Sequence, residues 1–570
     1  MTKTTSRRLV VLFVAMAVAF AGIVVRLTSL QVQDRHRFVA LAYDQRVHTT
    51  VLPAHRGDIL DRAGVPLAIT MNASDIYADP RNVTDAVGEA ERIAPILGLR
   101  PKDIWKSIEA GGTFVYIARQ VDSGVAEQIR ALNLPGIGFL TVPKRYYPAG
   151  SLASQVLGFV GIDGGGLAGL EAGYQSELAG TPGTRTAELD PAGQPIASGV
   201  DTVTPPVDGQ NLETTIDRQI QFQSQQALAD AVRANGAKAG TIIVMDPATG
   251  DIYAMASYPW FDPNRFAQAN PERWRNRAVT DAFEPGSVNK IITAAAAIDS
   301  RSVSLWQRFQ VPDQVKIGTY TIHDSHPHPI QAMTLGDIIA ESSNIGITKV
   351  AHDVGEQGLA MYLARFGFGQ PTGLEFPGES AGIVPSLPDW SDTSLDTISY
   401  GQGISVTPLQ MASVYATIAN NGVWVQPRLI RGTVGSDGVL DPLSPSPTRR
   451  VISASTAETL TQMLAYVVQG GTGVNAQIQG YQVAGKTGTA LIPDPSGGYY
   501  ADRYVASFIG FLPAARPRVV VAAIIDRPST VYGGVAAAPL FQQVARFAIQ
   551  RLGIPSADPV SLPPHALHLP

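Results

Sequence analysis

The amino-acid sequence predicts an α+β protein with one membrane-spanning helix, an elongated mixed α/β domain and a second domain in which helices flank an antiparallel sheet. Three observations predict this class. A long apolar run lies near the N-terminus, residues 31–211 mix short strand and helix patterns, and the remainder runs from a hairpin pattern through helical patterns back to strands. Because the first and last strands of such an order can pair, we expect the helices to pack against one sheet.

The N-terminal segment carries Lys3, Arg7 and Arg8, followed by an uninterrupted apolar run over residues 9–25 that Leu27 and Leu30 extend to residue 30. This length is enough to span a bilayer once. We predict an uncleaved signal anchor, with residues 1–8 in the cytoplasm and everything after about residue 30 outside. The alternative is a cleaved signal peptide, because residues 19–21 (AFA) resemble a cleavage site. The apolar run continues beyond that point, which favours the anchor.

The composition argues against several functions. The formal net charge is −5, which gives no reason to expect a nucleic-acid partner. The chain has no cysteine, so disulfides and thiolate chemistry are excluded. Residues 323–329 (HDSHPHP) group three histidines with Asp324, but the prolines enforce an irregular loop without regular ligand spacing. We therefore expect neither a metal nor a cofactor.

The segment 180–211 is rich in Pro, Gly and Thr and predicts extended hairpins or a linker, so we place a domain boundary near residue 211. LETTID then predicts a strand, followed by a long helix from Asp217 to about Arg233. Residues 241–246 and 251–257 predict a hairpin around the turn DPATG. Further helices are predicted near 287–300, 334–342, 408–421 and 456–469, and strands at 480–484, 503–511 and 518–526.

Ser287 and Lys290, in EPGSVNK, lie at the predicted start of a helix and on one face of it. A serine nucleophile needs an adjacent base. A lysine can supply that base when burial and nearby positive charge lower its pKa. The free N–H groups of a helix start can also bind a developing oxyanion. Taken alone, such a motif is more often a helix cap beside a surface lysine.

Ser342, Ser343 and Asn344 follow the helical pattern LGDIIAE. A hydroxyl and an amide two residues apart can point into one cleft, where Ser342 would pass a proton to a leaving group and Asn344 would bind a substrate amide. Taken alone, this motif is more often a helix cap.

Lys486 lies in a third motif, GKTGT (485–489), which follows a strand pattern. Its charge suits a carboxylate, and Gly488 would allow a substrate to lie against the strand. The N–H of Thr489 would be a second oxyanion donor. A phosphate-binding loop is the competing interpretation. We reject it because we count Gly480 as one residue too early for the glycine spacing of that motif, and because no helical pattern follows Thr487.

Together the three motifs, S-x-x-K, S-x-N and K-T-G, occur in the order typical of β-lactamases and penicillin-binding proteins. Over nearly its whole exported part the chain resembles a class B penicillin-binding protein. HRGDILDRAGVPLA (55–68) resembles the N-terminal signature of that family, and residues 145–161 and 166–183 resemble its pedestal motifs. Residues 400–422, which begin YGQGISVTPLQ, resemble a transpeptidase stretch and favour the septal, FtsI-type branch.

The resemblance implies a domain order. A cytoplasmic tail (1–8) and a signal anchor (9–30) precede a pedestal or dimerisation domain (31–211). A transpeptidase domain with the penicillin-binding and serine β-lactamase-like fold (212–555) and a Pro-rich tail (556–570) follow. The implied location is the bacterial cell membrane, single-pass. The implied partners are peptidoglycan stem peptides, β-lactam antibiotics, a glycan polymerase of the FtsW type and other division proteins.

The resemblance also implies a peptidoglycan D,D-transpeptidase. Ser287 would attack the penultimate D-alanine of a stem peptide with Lys290 as base, and β-lactams would acylate the same serine. The N–H groups of Ser287 and Thr489 would hold the oxyanion. The catalytic residues implied are Ser287, Lys290, Ser342 and Asn344, and the substrate-binding residues are Lys486, Thr487, Gly488 and Thr489.

Three alternatives stay open. An elongation-type transpeptidase would have the same motifs. A serine β-lactamase would need a base for deacylation, and no glutamate element of that kind is identifiable between the second and third motifs. A non-catalytic β-lactam sensor or scaffold is disfavoured by the intact Ser287 and Lys290, and residues 1–8 are too short for a signalling domain.

Overall fold

The computed structural model describes residues 3–190, 194–317, 320–435, 437–557 and 559. The chain forms two compact units, one of Met1–His55 with Gly180–Gly209 and one of Arg56–Ala179 with Gln210–Pro570. The predicted tail 556–570 lies almost entirely outside the described residues.

In chain order, the helices of the described residues are α1 (Lys3–Thr28), α2 (Arg35–Arg46), α3 (Ala86–Leu97), α4 (Pro101–Glu109), α5 (Ser123–Arg130), α6 (Ser154–Leu157), α7 (Gly169–Gly173), α8 (Gln175–Leu178), α9 (Arg218–Ala234), α10 (Arg277–Thr280), α11 (Lys290–Asp299), α12 (Leu335–Glu341), α13 (Asn344–Val354), α14 (Glu356–Arg365), α15 (Ser394–Ser399), α16 (Pro408–Ala419), α17 (Ala454–Gln469), α18 (Gly533–Ala536) and α19 (Ala538–Arg551). The strands are β1 (Val47–Leu52), β2 (Ile59–Leu60), β3 (Pro66–Ala78), β4 (Val115–Asp122), β5 (Ile137–Tyr146), β6 (Gly183–Glu188), β7 (Asp201–Thr204), β8 (Asn211–Thr214), β9 (Ala239–Met245), β10 (Ile252–Tyr258), β11 (Phe309–Val311), β12 (Gln314–Ile317), β13 (Tyr320–His323), β14 (Gln331–Met333), β15 (Val423–Val425), β16 (Ile430–Val434), β17 (Leu440–Pro442), β18 (Thr448–Arg450), β19 (Ala484–Pro493), β20 (Tyr499–Leu512) and β21 (Val519–Asp526).

The first unit begins with the apolar helix. Residues Ser6–Val32 have the length and apolar character needed to cross a membrane once, and their apolar stretch is not buried against protein. The helix α2 and strand β1 follow. β1 pairs with β6 and β6 with β7, both antiparallel, so the Pro- and Gly-rich segment forms a hairpin rather than only a linker.

The second unit contains the predicted α+β arrangement. Its five-stranded antiparallel sheet has the order β10-β9-β21-β20-β19, so the first hairpin pairs with the last strand. Side chains of β21 alternate between two cores. Val519 and Val521 pack in the core with residues of α9 and α19, whereas Val520 and Ala522 pack in the core with residues of α11, α16 and α17. Helices thus cover both faces of the sheet.

Helix starts in this unit follow from local sequence. Asp217 caps α9 by accepting hydrogen bonds from the N–H groups of Gln219 and Ile220, at 3.0 and 3.1 Å. Thr407 and Gln410 form a reciprocal capping box at the start of α16, where Pro408 needs no N–H partner.

The predicted strand at 480–484 is wrong, because pairing with β20 begins only at Ala484, opposite Phe511. Gly480 has φ of +83° and belongs to the turn closed by Ile478 and Tyr481. The strand therefore runs through the G-K-T-G-T motif itself and on to Pro493.

A second, seven-stranded sheet has the order β17-β16-β8-β2-β3-β4, with β5 also paired to β3. Its strand β8 pairs in parallel with β2 and antiparallel with β16. Strands from both sides of residue 211 thus share hydrogen bonds, and the boundary near that residue stays a prediction.

A fully buried carboxylate, Glu171, holds this region together. Arg56 and Arg145 each donate through Nε to one of its oxygens at 2.6 Å, and Tyr147 donates through its hydroxyl at 3.3 Å. Glu171 is 0% exposed, so its charge is compensated by these partners and not by water.

Replacing Glu171 by Ala should destabilise the folded chain by about 3–5 kcal/mol, because two buried guanidinium groups would lose their counter-charge. Chemical denaturation of the full-length chain in detergent measures this loss. Asp230→Ala is the matched control, since it breaks an exposed pair with Arg233 and should cost little. Equal denaturation midpoints for the two variants would contradict the structural role of Glu171.

Candidate active site

Residues of all three motifs line one cleft of about 800 Å³ in the second unit. Its lining includes Ser287, Ser342, Asn344, Thr487 and Thr489. The two motif lysines, Lys290 and Lys486, are 0% and 1% exposed and lie beneath this lining. The fold thus brings together residues that are far apart in the sequence.

The nucleophile segment enters the cleft through a tight turn. Residues Gly286–Asn289 form a 3₁₀ turn that leads into α11. Gly286 has φ of +58°, and a Cβ at this position would lie 3.0 Å from the carbonyl oxygen of Thr489. Only a residue without a side chain fits there comfortably, so Ser287 is presented directly beside strand β19.

Lys290 lies behind the serine and is completely buried in α11. Its ammonium donates to the main-chain carbonyl of Ser342 and, at 3.3 Å, to the Ser342 hydroxyl. Burial lowers the pKa of Lys290 well below its usual value, and the positive charge of Lys486 lowers it further. Both effects favour the neutral amine over the ammonium form.

Lys486 is the second buried cation, and burial lowers its pKa to about 7. Its Nζ lies 3.3 Å from the carbonyl oxygen of Thr487 and 3.4 Å from the Thr487 hydroxyl oxygen. That hydroxyl also contacts Thr472 at 2.8 Å. A bound anion would favour the charged form of the lysine, since opposite charge raises an ammonium pKa.

Gly488 and Thr489 complete the third motif on β19, an edge strand of the sheet. A Cβ at Gly488 would lie 2.3 Å from the Ser507 hydroxyl and 3.0 Å from Val288. The glycine therefore lets the nucleophile turn approach the sheet. The N–H of Gly533 donates to the Thr489 hydroxyl at 3.1 Å, which orients that side chain at the cleft wall.

The phosphate-loop interpretation fails on structure. The spacing argument given above is wrong, because Gly480 and residues 485–487 do fit the glycine spacing of that motif. The lysine, however, lies inside β19 and is followed by further strand residues, not by a helix whose N-terminus would bind phosphate.

The second motif forms the turn between α12 and α13. Ser342 ends α12 in the left-handed region, with φ of +62°. Ser343 caps α13 by accepting a hydrogen bond from the N–H of Gly346. The side-chain amide of Asn344 donates to the carbonyl of His323 at 2.8 Å. The capping role expected from sequence falls to Ser343, which leaves Ser342 and Asn344 at the cleft.

Sequence reasoning missed Asp324, which holds this turn in place. Its carboxylate accepts from the Ser343 hydroxyl and the Asn344 N–H, both at 2.6 Å, and from the Ile345 N–H at 3.1 Å. Its other neighbour is His328, at 3.1 Å. The histidine-rich segment suggests a metal from its sequence, but its structural role lies in this acid. The partners of Asp324 are 19 to 21 residues away along the chain, so no local pattern predicts these contacts. Among the described residues, no group of three possible ligands is placed to hold a metal.

Two protein-family models match this chain. Residues 240–546 match the model of the penicillin binding protein transpeptidase domain, and residues 51–214 match that of the penicillin-binding protein dimerisation domain. Penicillin-binding protein PbpB of Mycolicibacterium smegmatis is 37% identical over 94% of this chain and 89% of its own length. Peptidoglycan D,D-transpeptidase FtsI of Escherichia coli is 33% identical over 94% of this chain and 90% of its own length.

A solved structure also matches this chain. Penicillin binding protein 3 of Mycobacterium tuberculosis, in complex with aztreonam, superimposes with a TM-score of 0.71 at 34% identity. The match covers 90% of this chain and 99% of that one.

The rate of β-lactam acylation should follow a bell-shaped pH profile. It should rise with pH as Lys290 loses its proton, since only the neutral amine can accept the serine proton, and this limb should lie below pH 10.5, the ordinary pKa of lysine. It should fall above a pH of about 7 as Lys486 loses the charge that binds the carboxylate. Stopped-flow measurement of the second-order rate constant with a fluorescent penicillin tests this.

Lys486→Ala should lower the rate and remove the alkaline limb. A flat profile from about pH 6 to about pH 9 would contradict this account of the two lysines.

Asp324→Ala should slow acylation by about tenfold, because the turn carrying Ser342 and Asn344 would lose its anchor. It should also cost about 1–2 kcal/mol of stability through the lost cap. The matched control is Asp85→Ala, which removes the cap of α3 through Gly88 at 2.9 Å, away from the cleft. Acylation and melting curves of both variants give the test. If Asp324→Ala acylates as fast as Asp85→Ala, the anchoring role is wrong.

Proposed function

The chain belongs to the class B penicillin-binding proteins, and we propose that it crosslinks peptidoglycan stem peptides during division, at the septum. Its reaction class is that of a peptidoglycan D,D-transpeptidase, a serine enzyme. The observation that carries the proposed residue roles is the completely buried Lys290, hydrogen-bonded to Ser342 under the cleft that Ser287 lines.

In the proposed mechanism, Ser287 Oγ attacks the carbonyl carbon of the penultimate D-alanine while neutral Lys290 takes its proton. The N–H groups of Ser287 and Thr489 bind the oxyanion. The C–N bond then breaks, and Ser342 relays a proton to the amine of the departing D-alanine. An amine of a second stem peptide then attacks the ester carbonyl, and the new amide forms as the C–O bond to Ser287 breaks. A proton lost by the attacking amine passes through Lys290 to Ser287 Oγ.

Substrate binding in this proposal uses the charge of Lys486 with the hydroxyls of Thr487 and Thr489 for the terminal carboxylate. Asn344 binds a substrate amide from the opposite side of the cleft. Gly488 keeps β19 free of a side chain at the point where the nucleophile turn meets it. β-Lactams acylate Ser287 by the same attack.

The septal assignment is supported by the 400–422 stretch and by relatives that include FtsI and PbpB. In this proposal residues 1–8 lie in the cytoplasm, α1 crosses the membrane and the catalytic domain lies outside. A glycan polymerase of the FtsW type and other division proteins are the proposed partners. A fluorescent fusion should gather at the septum, and an even distribution along the side wall would favour the elongation role.

The acyl-enzyme is tested by incubating the full-length chain in detergent with a fluorescent penicillin. We expect a label that is stable for hours, is absent from Ser287→Ala and is retained by Ser455→Ala, an exposed serine on α17. Both variants should melt near the wild type, because Ser287 is only half-buried.

Rapid loss of the label with antibiotic turnover would instead indicate a β-lactamase. If the wild-type chain is folded but takes up no label, the result would indicate a non-catalytic scaffold.

A further inference from the structure

The nucleophile segment is joined to the loop 400–406 by a row of contacts. Phe283 and Val406 exchange main-chain hydrogen bonds at 3.0 and 2.9 Å, and the N–H of Gly286 donates to the carbonyl of Gly401 at 3.0 Å. A Cβ at Gly401 would lie 2.3 Å from the Gly286 carbonyl oxygen, so this approach needs a glycine. The GQGIS motif thus lies directly against the turn that carries Ser287.

Glu284 extends this row to a third segment. One carboxylate oxygen, Oε1, accepts from the N–H of Gly403 at 3.0 Å and from the hydroxyl of Tyr499 at 3.2 Å. Tyr499 begins β20, directly after the turn of the hairpin whose other strand carries the G-K-T-G-T motif. One side chain therefore connects the nucleophile segment, the 400–406 loop and the β19–β20 hairpin.

The surroundings of Glu284 show that it is not held by a counter-ion. The residue is 7% exposed, and its second oxygen, Oε2, has no hydrogen-bond partner among the described residues. It lines a cavity of about 240 Å³ that Arg277 and Arg527 also line. Arg277 pairs with Asp281 at 2.6 Å, and Arg527 lies 3.8 Å from Asp526. Burial raises the pKa of Glu284, as expected for a carboxyl group without a paired cation.

These segments form the cleft on either side of the serine. Tyr400 and Gln402, from the loop, and Leu491 and Tyr504, from the hairpin, line it together with Ser287. A displacement of about 1 Å in such a wall can lower a rate by two orders of magnitude without a change in the reacting groups.

We propose that Glu284 is a positioning residue for acylation, which fixes the 400–406 loop and the β19–β20 hairpin against the segment that carries Ser287. The proposal rests on the serine acyl-enzyme proposed above. Glu284 acts because its side chain is long enough for Oε1 to accept both hydrogen bonds, and it transfers no proton.

Two substitutions of Glu284 distinguish the effect of its side-chain length from the effect of its charge. Glu284→Gln keeps an acceptor oxygen at the same distance and puts an amide nitrogen in the place of Oε2, in a residue that lines a cavity with room for water. Glu284→Asp keeps the charge but withdraws the carboxylate by about 1.5 Å, too far for either hydrogen bond. Tyr499→Phe removes one of the two donors. Tyr481→Phe is the matched control, since it removes a hydroxyl that donates to the carbonyl of Ile554, away from the cleft.

Stopped-flow labelling of the full-length chain in detergent, over a range of fluorescent penicillin concentrations and of pH, gives the maximal acylation rate, the binding constant and the pH midpoints. Glu284→Asp should lower the maximal rate by about tenfold or more and Tyr499→Phe by about threefold. In these two variants the binding constant and the pH midpoints should equal those of the wild type. The maximal acylation rates of Glu284→Gln and Tyr481→Phe should stay within about twofold of the wild-type rate.

Wild-type rates in Glu284→Asp and Tyr499→Phe would overturn the proposal. So would a loss in Glu284→Gln with a shifted pH profile, which would indicate proton transfer, or a rate loss that only follows a loss of melting temperature. Absence of labelling in the wild type would instead refute the acyl-enzyme itself, so the two failures are distinguishable.

Discussion

The burial of two lysine side chains without paired carboxylates is the constraint on which the active site depends. Removing an ammonium group from water is costly, and the cost falls on the charged form. Lys290 is completely buried and Lys486 lies close enough to disfavour its charge further. The fold thereby favours the neutral form of an amine that is charged in water, and this form is the one that the proposed mechanism requires.

Another buried charge in the same chain differs from the two lysines because it has counter-charges. Glu171 is also fully buried, but two arginines and a tyrosine hydroxyl compensate it, so that its burial supports the structure. At Lys290 the contacts are to the carbonyl and hydroxyl of Ser342, which orient the amine without neutralising a charge. The charge of Glu171 is compensated and serves the structure, whereas the charge of Lys290 is not compensated and its pKa is shifted.

Rigidity around the lysines comes from close backbone approaches and from hydrogen bonds that cross between segments. Gly286, Gly401 and Gly488 each lie where a Cβ would press on a neighbouring segment. Asp324 holds the turn with Ser342 and Asn344, and Glu284 joins the nucleophile segment to the loop and hairpin on its other side. Each of these groups acts on the reacting atoms through the backbone that it fixes.

The sequence by itself determined the α+β class, the apolar N-terminal helix, the first hairpin with its long helix, and the three motifs with their order. These are local properties, because hydrophobic periodicity, helix caps, turn residues and short motif spacings each depend on residues that are close in the sequence. Even the wrong strand at 480–484 was a local error, since glycines that look like a break are held in β19 by pairing with a distant strand.

Only the tertiary structure decided which charges are buried and what they contact. Lys290 and Lys486 look like ordinary surface lysines until the fold encloses them. Asp324 and Glu284 have no distinctive sequence signal, because their partners lie on segments that are remote in the sequence. Burial and long-range hydrogen bonding depend on the packing of the whole chain, and this is why the chemistry of the site emerges only from the folded molecule.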